Sequence, residues 1–584
     1  MSTAVHRGGR APNYDRYPVV AAGTAGECDT GWQAIAARLR GSDARVIVVD
    51  AYPGVREIDL QSLVRALEPA TVVRAADALR PEDEIETMIA PDLTDDPVFG
   101  RLTRLELSDF FVPDELDRLR ARVDDAHGTV VVYGSGAALV TTGDVLIHAD
   151  MPRREIQQRQ RRGEIASIGA SRPGELPSRE YKRGYFVDWR VCDRHKRRLW
   201  DRMDFVLDTT RADRPYMISS QAMFRGLREA TRRPFRVVPL FDPAPWGGQW
   251  MKEVCDLPRE TVNYGWCFDC VPEENSLLLG FGEERVEIPA INLVLRHPTE
   301  LLGEAVRARF GSEFPIRFDF LDTIEGGNLS LQVHPGTDYM REHFGLHYSQ
   351  DESYYILDAD DGATVYLGVK SGVDRDAMIG ELRRSEQEGL PFPVERYVNR
   401  LPARRHDHFL IPTGTVHCAG AGSLVLEISA TPYIFTFKLW DWGRPGLDGR
   451  PRPIHIDHGE RNIRFERDTD YTTRNLINRV APLQAGDGWK CERTGLHEAE
   501  FVETHRHWFT AAVAHDTGGG VNVLNLVEGE EAVVESPDDA FEPFTVHYAE
   551  TFIVPAAVGR YSVRPTGKRK EASHATIKAF VRSS

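Results

Sequence analysis

Apolar residues in the first 230 or so positions come in short runs that alternate with amphipathic, helix-like stretches. YPVVAAG (17–23) precedes WQAIAARLRG, and RVIVVD (45–50) precedes AYPGVREIDLQSLVRALE. TVVVYGSGAALV and DVLIHADM follow later. Short β-rich runs spaced by helical segments predict βαβ units and a parallel sheet. From about residue 235 the texture changes to short strands bounded by Gly, Pro and Asp: LSLQVHP, ESYYILDA, ATVYLGVK, DHFLIPTG, SLVLEISA and YIFTFKLW. That pattern predicts an all-β barrel or jelly roll. A helical interruption is expected at 373–390, VDRDAMIGELRRSEQEGL, and the last 90 residues or so return to short strands. The expected organisation is a multidomain chain, α/β over 1–230, then all-β domains over 231–455 and 456–584.

The length of 584 residues accommodates several such domains, each able to bury its own core. A hydrophobic content of 41% and a charged content of 28% fit a globular chain rather than a disordered one. The net charge of −17 argues against nucleic acid or an anionic membrane as partner, since both need a concentrated basic surface. It leaves small phosphorylated substrates open, because a pocket can be basic within an acidic protein. No secretory signal or membrane-spanning stretch is expected, and the seven scattered cysteines suit a reducing cytoplasm. Cys267 and Cys270 form one CFDC pair without a second pair to complete a zinc site, so they are read as structural.

The densest chemistry lies between Gly326 and Arg444. LSLQVHP places Gln332 and His334 two apart on a strand, projecting from one face. Glu352 opens the next apolar strand, and IPTGTVH ends a third with a Pro-x-Gly turn and His417. Two imidazoles, a carboxylate and an amide oxygen form a plausible Zn²⁺ donor set with room for substrate or water. Such an open position lets a metal polarise a carbonyl or hydroxyl.

These segments resemble the cupin-type (class I) mannose-6-phosphate isomerases across residues 235–584. WGG (246–248), LSLQVHP (329–335), YYILDA (354–359), VYLGVK (365–370), PTGTVH (412–417), LVLEI (424–428) and DWGR (441–444) occur in that family's order. The resemblance implies two cupin β-barrels, the first holding one zinc ion on Gln332, His334, Glu352 and His417. It implies a cytoplasmic enzyme that interconverts mannose 6-phosphate and fructose 6-phosphate through an enediol, with Ser330 contacting the substrate phosphate. Glu427, after the LVL run, is the candidate general base; its alternative is a solvent-facing strand carboxylate.

The chain departs from the family pattern at two places. Gln350, in QDE, stands where a lysine is usual, and is expected beside the substrate. Lys438, in TFKLWD, stands where the family has an active-site arginine; it keeps the charge without the bidentate fork, for which Arg444 can compensate. A different phosphosugar, or an unphosphorylated one, then becomes credible. VNVLNLVEGEEAVV and TFIVPAAVGRYSV resemble the family's C-terminal cupin, where Arg560 replaces the histidine equivalent to His417. That copy is expected to be metal-free, with His505 and His507 structural.

In the first 230 residues, GECDTGWQ (26–33) has the spacing of a P-loop between a strand and a helix, but Trp32 and Gln33 replace its Lys and Ser/Thr. The later VVVYGSGAAL and the arginine-rich segment with Arg153, Arg154, Arg159, Arg161 and Arg162 resemble the layout of nucleoside kinases. A degenerate kinase-like scaffold is expected, binding a nucleotide or sugar without hydrolysis or serving only to pack or regulate. The arginines are lid residues or a solvated helix face. Three functions compete: a zinc-dependent aldose–ketose isomerase, a bifunctional sugar kinase–isomerase, and a non-catalytic sugar-binding or sensing cupin. The oligomeric state is left open.

Overall fold

The computed structural model describes residues 12–582, except 175, 433, 496, 498 and 499. The chain forms two compact units. One gathers residues up to Pro18, Ala230–Pro272 and His297–Ser584; the other takes Val19–Glu229 and Glu273–Arg296. The α/β unit therefore does not end at 230, as the sequence suggested, but claims a second segment from further along.

In that α/β unit the continuous apolar runs form a seven-stranded sheet. Its order is Cys28–Thr30, Tyr216–Ser219, Phe205–Asp208, Val145–Asp150, Val46–Ala51, Val130–Gly134, Thr71–Arg74. The last five are parallel to one another, while the first two run antiparallel at one edge. Val46–Ala51 and Val145–Asp150 are buried at every position, as strands covered on both faces must be. Ile35, Leu39, Leu60, Leu63 and Leu67 supply the apolar stripes of two covering helices, Trp32–Arg40 and Glu57–Leu67.

Two expectations change here. The strand Val19–Gly23 lies outside the seven-stranded sheet and pairs in parallel with Ser276–Phe281 from the second segment. The Gly26–Gln33 stretch, expected as a degenerate P-loop between strand and helix, instead runs from a 3-10 turn at Ala25–Glu27 into the edge strand Cys28–Thr30. The helix Arg153–Arg161 is solvated on one side only, with Arg161 and the following Arg162 exposed. Arg153 and Arg159 are buried, Arg153 against Asp193, and Arg159 donating to the carbonyls of Gly54 and Thr209. Arg154 pairs with Glu287. These guanidiniums tie the unit together.

The other unit contains two pairs of antiparallel sheets. The first pair joins a six-stranded sheet (His408–Ile411, Glu352–Ala359, Ser423–Ala430, Ile316–Asp322, Trp266–Cys270, Leu240–Asp242) to a five-stranded one (Val398–Pro402, Thr364–Val369, His417–Ala419, Leu331–Val333, Phe437–Trp440). The expected helix is present as Arg375–Glu388, with Asp374 capping the Ala377 N–H and Gly389 leaving in the left-handed conformation. The second pair has six strands (Ala481–Gly486, Trp489–Gly495, Val502–Phe509, His574–Val581, Asn522–Glu528, Thr551–Val554) and four (Val513–Asp516, Arg560–Thr566, Glu531–Glu535, Phe544–His547). Phe509, Leu524, Leu526, Phe552 and Val563 pack between them. The cysteines of the CFDC pair are buried free thiols. No helix among the described residues is long and apolar enough to cross a membrane.

Candidate metal centre

Strand register assembles the predicted ligands. In the five-stranded sheet, Gln332 sits directly opposite His417 on one side and Lys438 on the other. Directly opposed residues share a face, so these three side chains enter the same interior. His334, two residues beyond Gln332, projects with them. Glu352 comes from the six-stranded sheet that faces them. His334, Glu352 and His417 each offer an atom within 4.8 Å of the others.

The hydrogen-bonding of these groups shows what the cluster accommodates. His334 Nδ1 lies 3.2 Å from the Phe435 carbonyl and His417 Nδ1 lies 2.9 Å from that of Thr415. Each Nδ1 therefore carries the proton, and each Nε2 presents a lone pair. Those Nε2 atoms stand 3.1 and 2.9 Å from the two oxygens of Glu352. Lone pairs thus meet a carboxylate, and neither His334 Nε2 nor Glu352 Oε1 makes a hydrogen bond. The Gln332 amide nitrogen is 3.1 Å from His417 Nε2, and an amide flip places its oxygen there instead. Burial alone would raise the Glu352 carboxyl; positive charge at the two imidazole positions pulls it well below the usual range, so the carboxylate is favoured wherever cationic charge is present there. Proton-poor donors converging in a buried site fit a cation, and the His₂-carboxylate composition suits a metal.

Around this cluster the structure places the remaining predicted residues. Gln350 is buried, its Nε2 donating to Glu352 at 3.2 Å and to Glu427 at 3.3 Å, so it bridges two carboxylates. Glu427 is not solvent-facing. It accepts from Arg317 at 2.7 Å and from Ser429 at 3.0 Å, and burial with the Asp319 and Glu352 charges raises its carboxyl well above the ordinary range.

Ser330 donates to Asp441 at 2.9 Å. Asp441 also accepts from Arg444 at 2.8 Å, and Arg452 forms an ion pair with it at 3.3 Å. Arg444 donates in addition to the Asn328 carbonyl. Among the described residues Lys438 makes no side-chain hydrogen bond or ion pair; burial and the neighbouring Arg452 lower its pKa to about 8, against the pull of Asp441. Arg444 and Arg452 thus share a single carboxylate and leave an excess of positive charge.

Several of these neighbours, Arg317, Ser429, Arg452 and Tyr354 among them, were not singled out in the sequence. Arg452 lies in a Gly- and Pro-rich segment with no strand pattern to mark it. Tyr354 was quoted only as part of a motif. Its ring packs edge-on against His417 at 5.9 Å, and its buried hydroxyl has no hydrogen-bond partner. The i, i+2 spacing from Glu352 was the available signal.

Comparison with known proteins gives a consistent direction for part of the chain. Over 214 residues it is 29% identical to the mannose-6-phosphate isomerase of Streptococcus mutans, covering 36% of this chain and 62% of that protein. Over 231 residues it is 30% identical to the probable mannose-6-phosphate isomerase GmuF of Bacillus subtilis, covering 38% and 66%. The similarity is to mannose-6-phosphate isomerases. The chain spans a little under two thirds of the length of these relatives. The crystal structure of the Bacillus subtilis mannose 6-phosphate isomerase aligns with a TM-score of 0.47 at 18% identity, over 59% of this chain and 99% of that one. A zinc-bound mannose 6-phosphate isomerase aligns at 0.45 and 14%, over 60% and 99%. Residues 31–232 match a family described as a domain of unknown function (DUF8485).

Proposed function

We propose that the first sheet pair is the catalytic part of a zinc-dependent aldose–ketose isomerase, converting mannose 6-phosphate to fructose 6-phosphate. The observation that carries this reading is the convergence of His334, Glu352 and His417, with donor atoms within 4.8 Å of one another, beside the strand that carries Lys438. Gln332 completes the set through its amide oxygen. The isomerase relatives support the reaction class.

The chain's own residues account for the steps. Arg444 and Arg452 give the phosphate a cationic seat, with Ser330 placed to donate once it turns from Asp441. Isomerisation requires a proton to leave C2 and one to arrive at C1, with a hydroxyl proton shifting between O2 and O1. A pKa near 8 keeps a fraction of Lys438 as the neutral amine near neutrality, so its Nζ can accept the C2 proton and return one to C1. Glu427, raised and held by Arg317, positions Gln350 rather than serving as the base, and Gln350 fixes the Glu352 carboxylate. A bound zinc ion would supply the positive charge that stabilises oxygen as negative charge develops on it. Tyr354 helps to keep the His417 ring in place.

The test is a panel of aldose 6-phosphates offered to the zinc-loaded full-length protein, with ketose formation followed. Turnover of mannose 6-phosphate ahead of glucose 6-phosphate is expected; no turnover of any member would sink the proposal.

A further inference from the structure

The second sheet pair lacks a histidine at the position equivalent to His417; Arg560 there lies at the surface, paired with Asp538 at 2.8 Å. Yet a different cluster sits in the same barrel, built from other strands. Cys491 on Trp489–Gly495 is directly opposite His507 on Val502–Phe509. His505, two residues before His507, shares their face. One donor atom from each of Cys491, His505 and His507 lies within 4.8 Å of the others.

Packing alone does not satisfy this group. Cys491 and His507 are buried, and His507 Nδ1 has no hydrogen-bond partner. A second imidazole, His515 from the facing sheet, meets the His507 ring at 4.5 Å, and its Nε2 is also unpartnered. An unsatisfied buried polar atom is destabilising, and an apolar side chain at either position would avoid that cost. His505 Nε2 is 2.7 Å from Glu503. A ring that donates through Nε2 keeps its Nδ1 lone pair for a ligand, the carboxylate–histidine support found behind metal-bound imidazoles. Lys578 lies opposite His505 across the neighbouring strand. Burial raises the Cys491 thiol, with the Lys578 charge opposing, and burial lowers Lys578 itself. Asp516 and Glu503 add negative charge beside it.

We propose that Cys491, His505 and His507 form a second metal site, for a borderline divalent cation such as Zn²⁺, distinct from the centre on Glu352. Binding releases the Cys491 proton to solvent and forms one sulfur–metal and two nitrogen–metal bonds, with no change of oxidation state. A thiolate with two imidazoles suits Zn²⁺ and leaves a fourth position next to His515.

The two sites differ in one donor that spectroscopy can see: only this one contains sulfur. Full-length protein stripped with chelator and reloaded with Co²⁺ is expected to hold two ions per chain and show a thiolate-to-metal charge-transfer band. Cys491→Ser should remove the band and one ion, whereas His417→Gln should remove the other ion and leave the band intact. His505→Gln provides a second variant should Cys491→Ser fail to fold, and it should weaken the band in a protein that keeps its thiol. One ion per chain with no sulfur band in the wild type would overturn the proposal, whatever the isomerase assay shows.

Discussion

Lys438 concentrates the chemical claim in one side chain. Its Nζ is unpaired among the described residues, and its pKa of about 8 arises from burial and from Arg452. The neutral amine grows as pH rises, so kcat/KM for mannose 6-phosphate should climb through a limb near pH 8 and level off above it. Lys438→Met should lose at least about a hundredfold in kcat and lose the limb, as expected for a missing acid–base group. Arg452 should behave differently, because its contact is with charge already present in the ground state. Arg452→Met should raise KM roughly tenfold or more, the effect of about 1.5–3 kcal/mol for a charged hydrogen bond, with kcat changed much less. Steady-state kinetics on the two variants separates the roles. Both rest on side chains that differed in legibility. Lys438 stood in a recognisable TFKLWD segment, but Arg452 reaches Asp441 through a turn-rich segment whose path no periodicity reveals.

At the scale of elements, the sequence was informative wherever function follows from local spacing. Gln332 and His334 had to share a face because a strand has a period of two, and the helical pattern at 373–390 marked the helix Arg375–Glu388. Asp374→Ala should cost about 1 kcal/mol of stability, through loss of the bond to the Ala377 N–H, measurable by denaturant unfolding. Long-range pairing was not legible. Cys491 and His507 become neighbours only through antiparallel register, so the cysteine could not be joined to the histidine pair in advance. GECDTGWQ failed for the converse reason: its glycine spacing matched a loop, while Cys28–Thr30 found an edge-strand partner in Tyr216–Ser219.

Over the whole molecule, two consequences follow from how the chain is distributed. The strand Val19–Gly23 depends on Ser276–Phe281, and Asp150 accepts from Asn292 at 2.8 Å. A fragment ending at 230 therefore lacks part of its own core, and should unfold without the cooperative transition of the full chain when heated and followed by circular dichroism. The second consequence is acid sensitivity. His408 is buried, and desolvation, reinforced by Arg506, lowers its pKa to about 3. Between about pH 6.5 and 3 the unfolded chain binds a proton there that the fold does not, so its contribution to stability is lost as pH falls. The slope is up to about 1.4 kcal/mol per pH unit for one such group. His408→Leu should flatten this part of the stability profile. The central claim is tested most directly by metal-dependent turnover. Wild-type protein should lose mannose 6-phosphate isomerisation on chelation and regain it with Zn²⁺, while Glu352→Gln, folded to the same extent, should regain none. Turnover that survives chelation, or equal recovery in Glu352→Gln, would contradict the account.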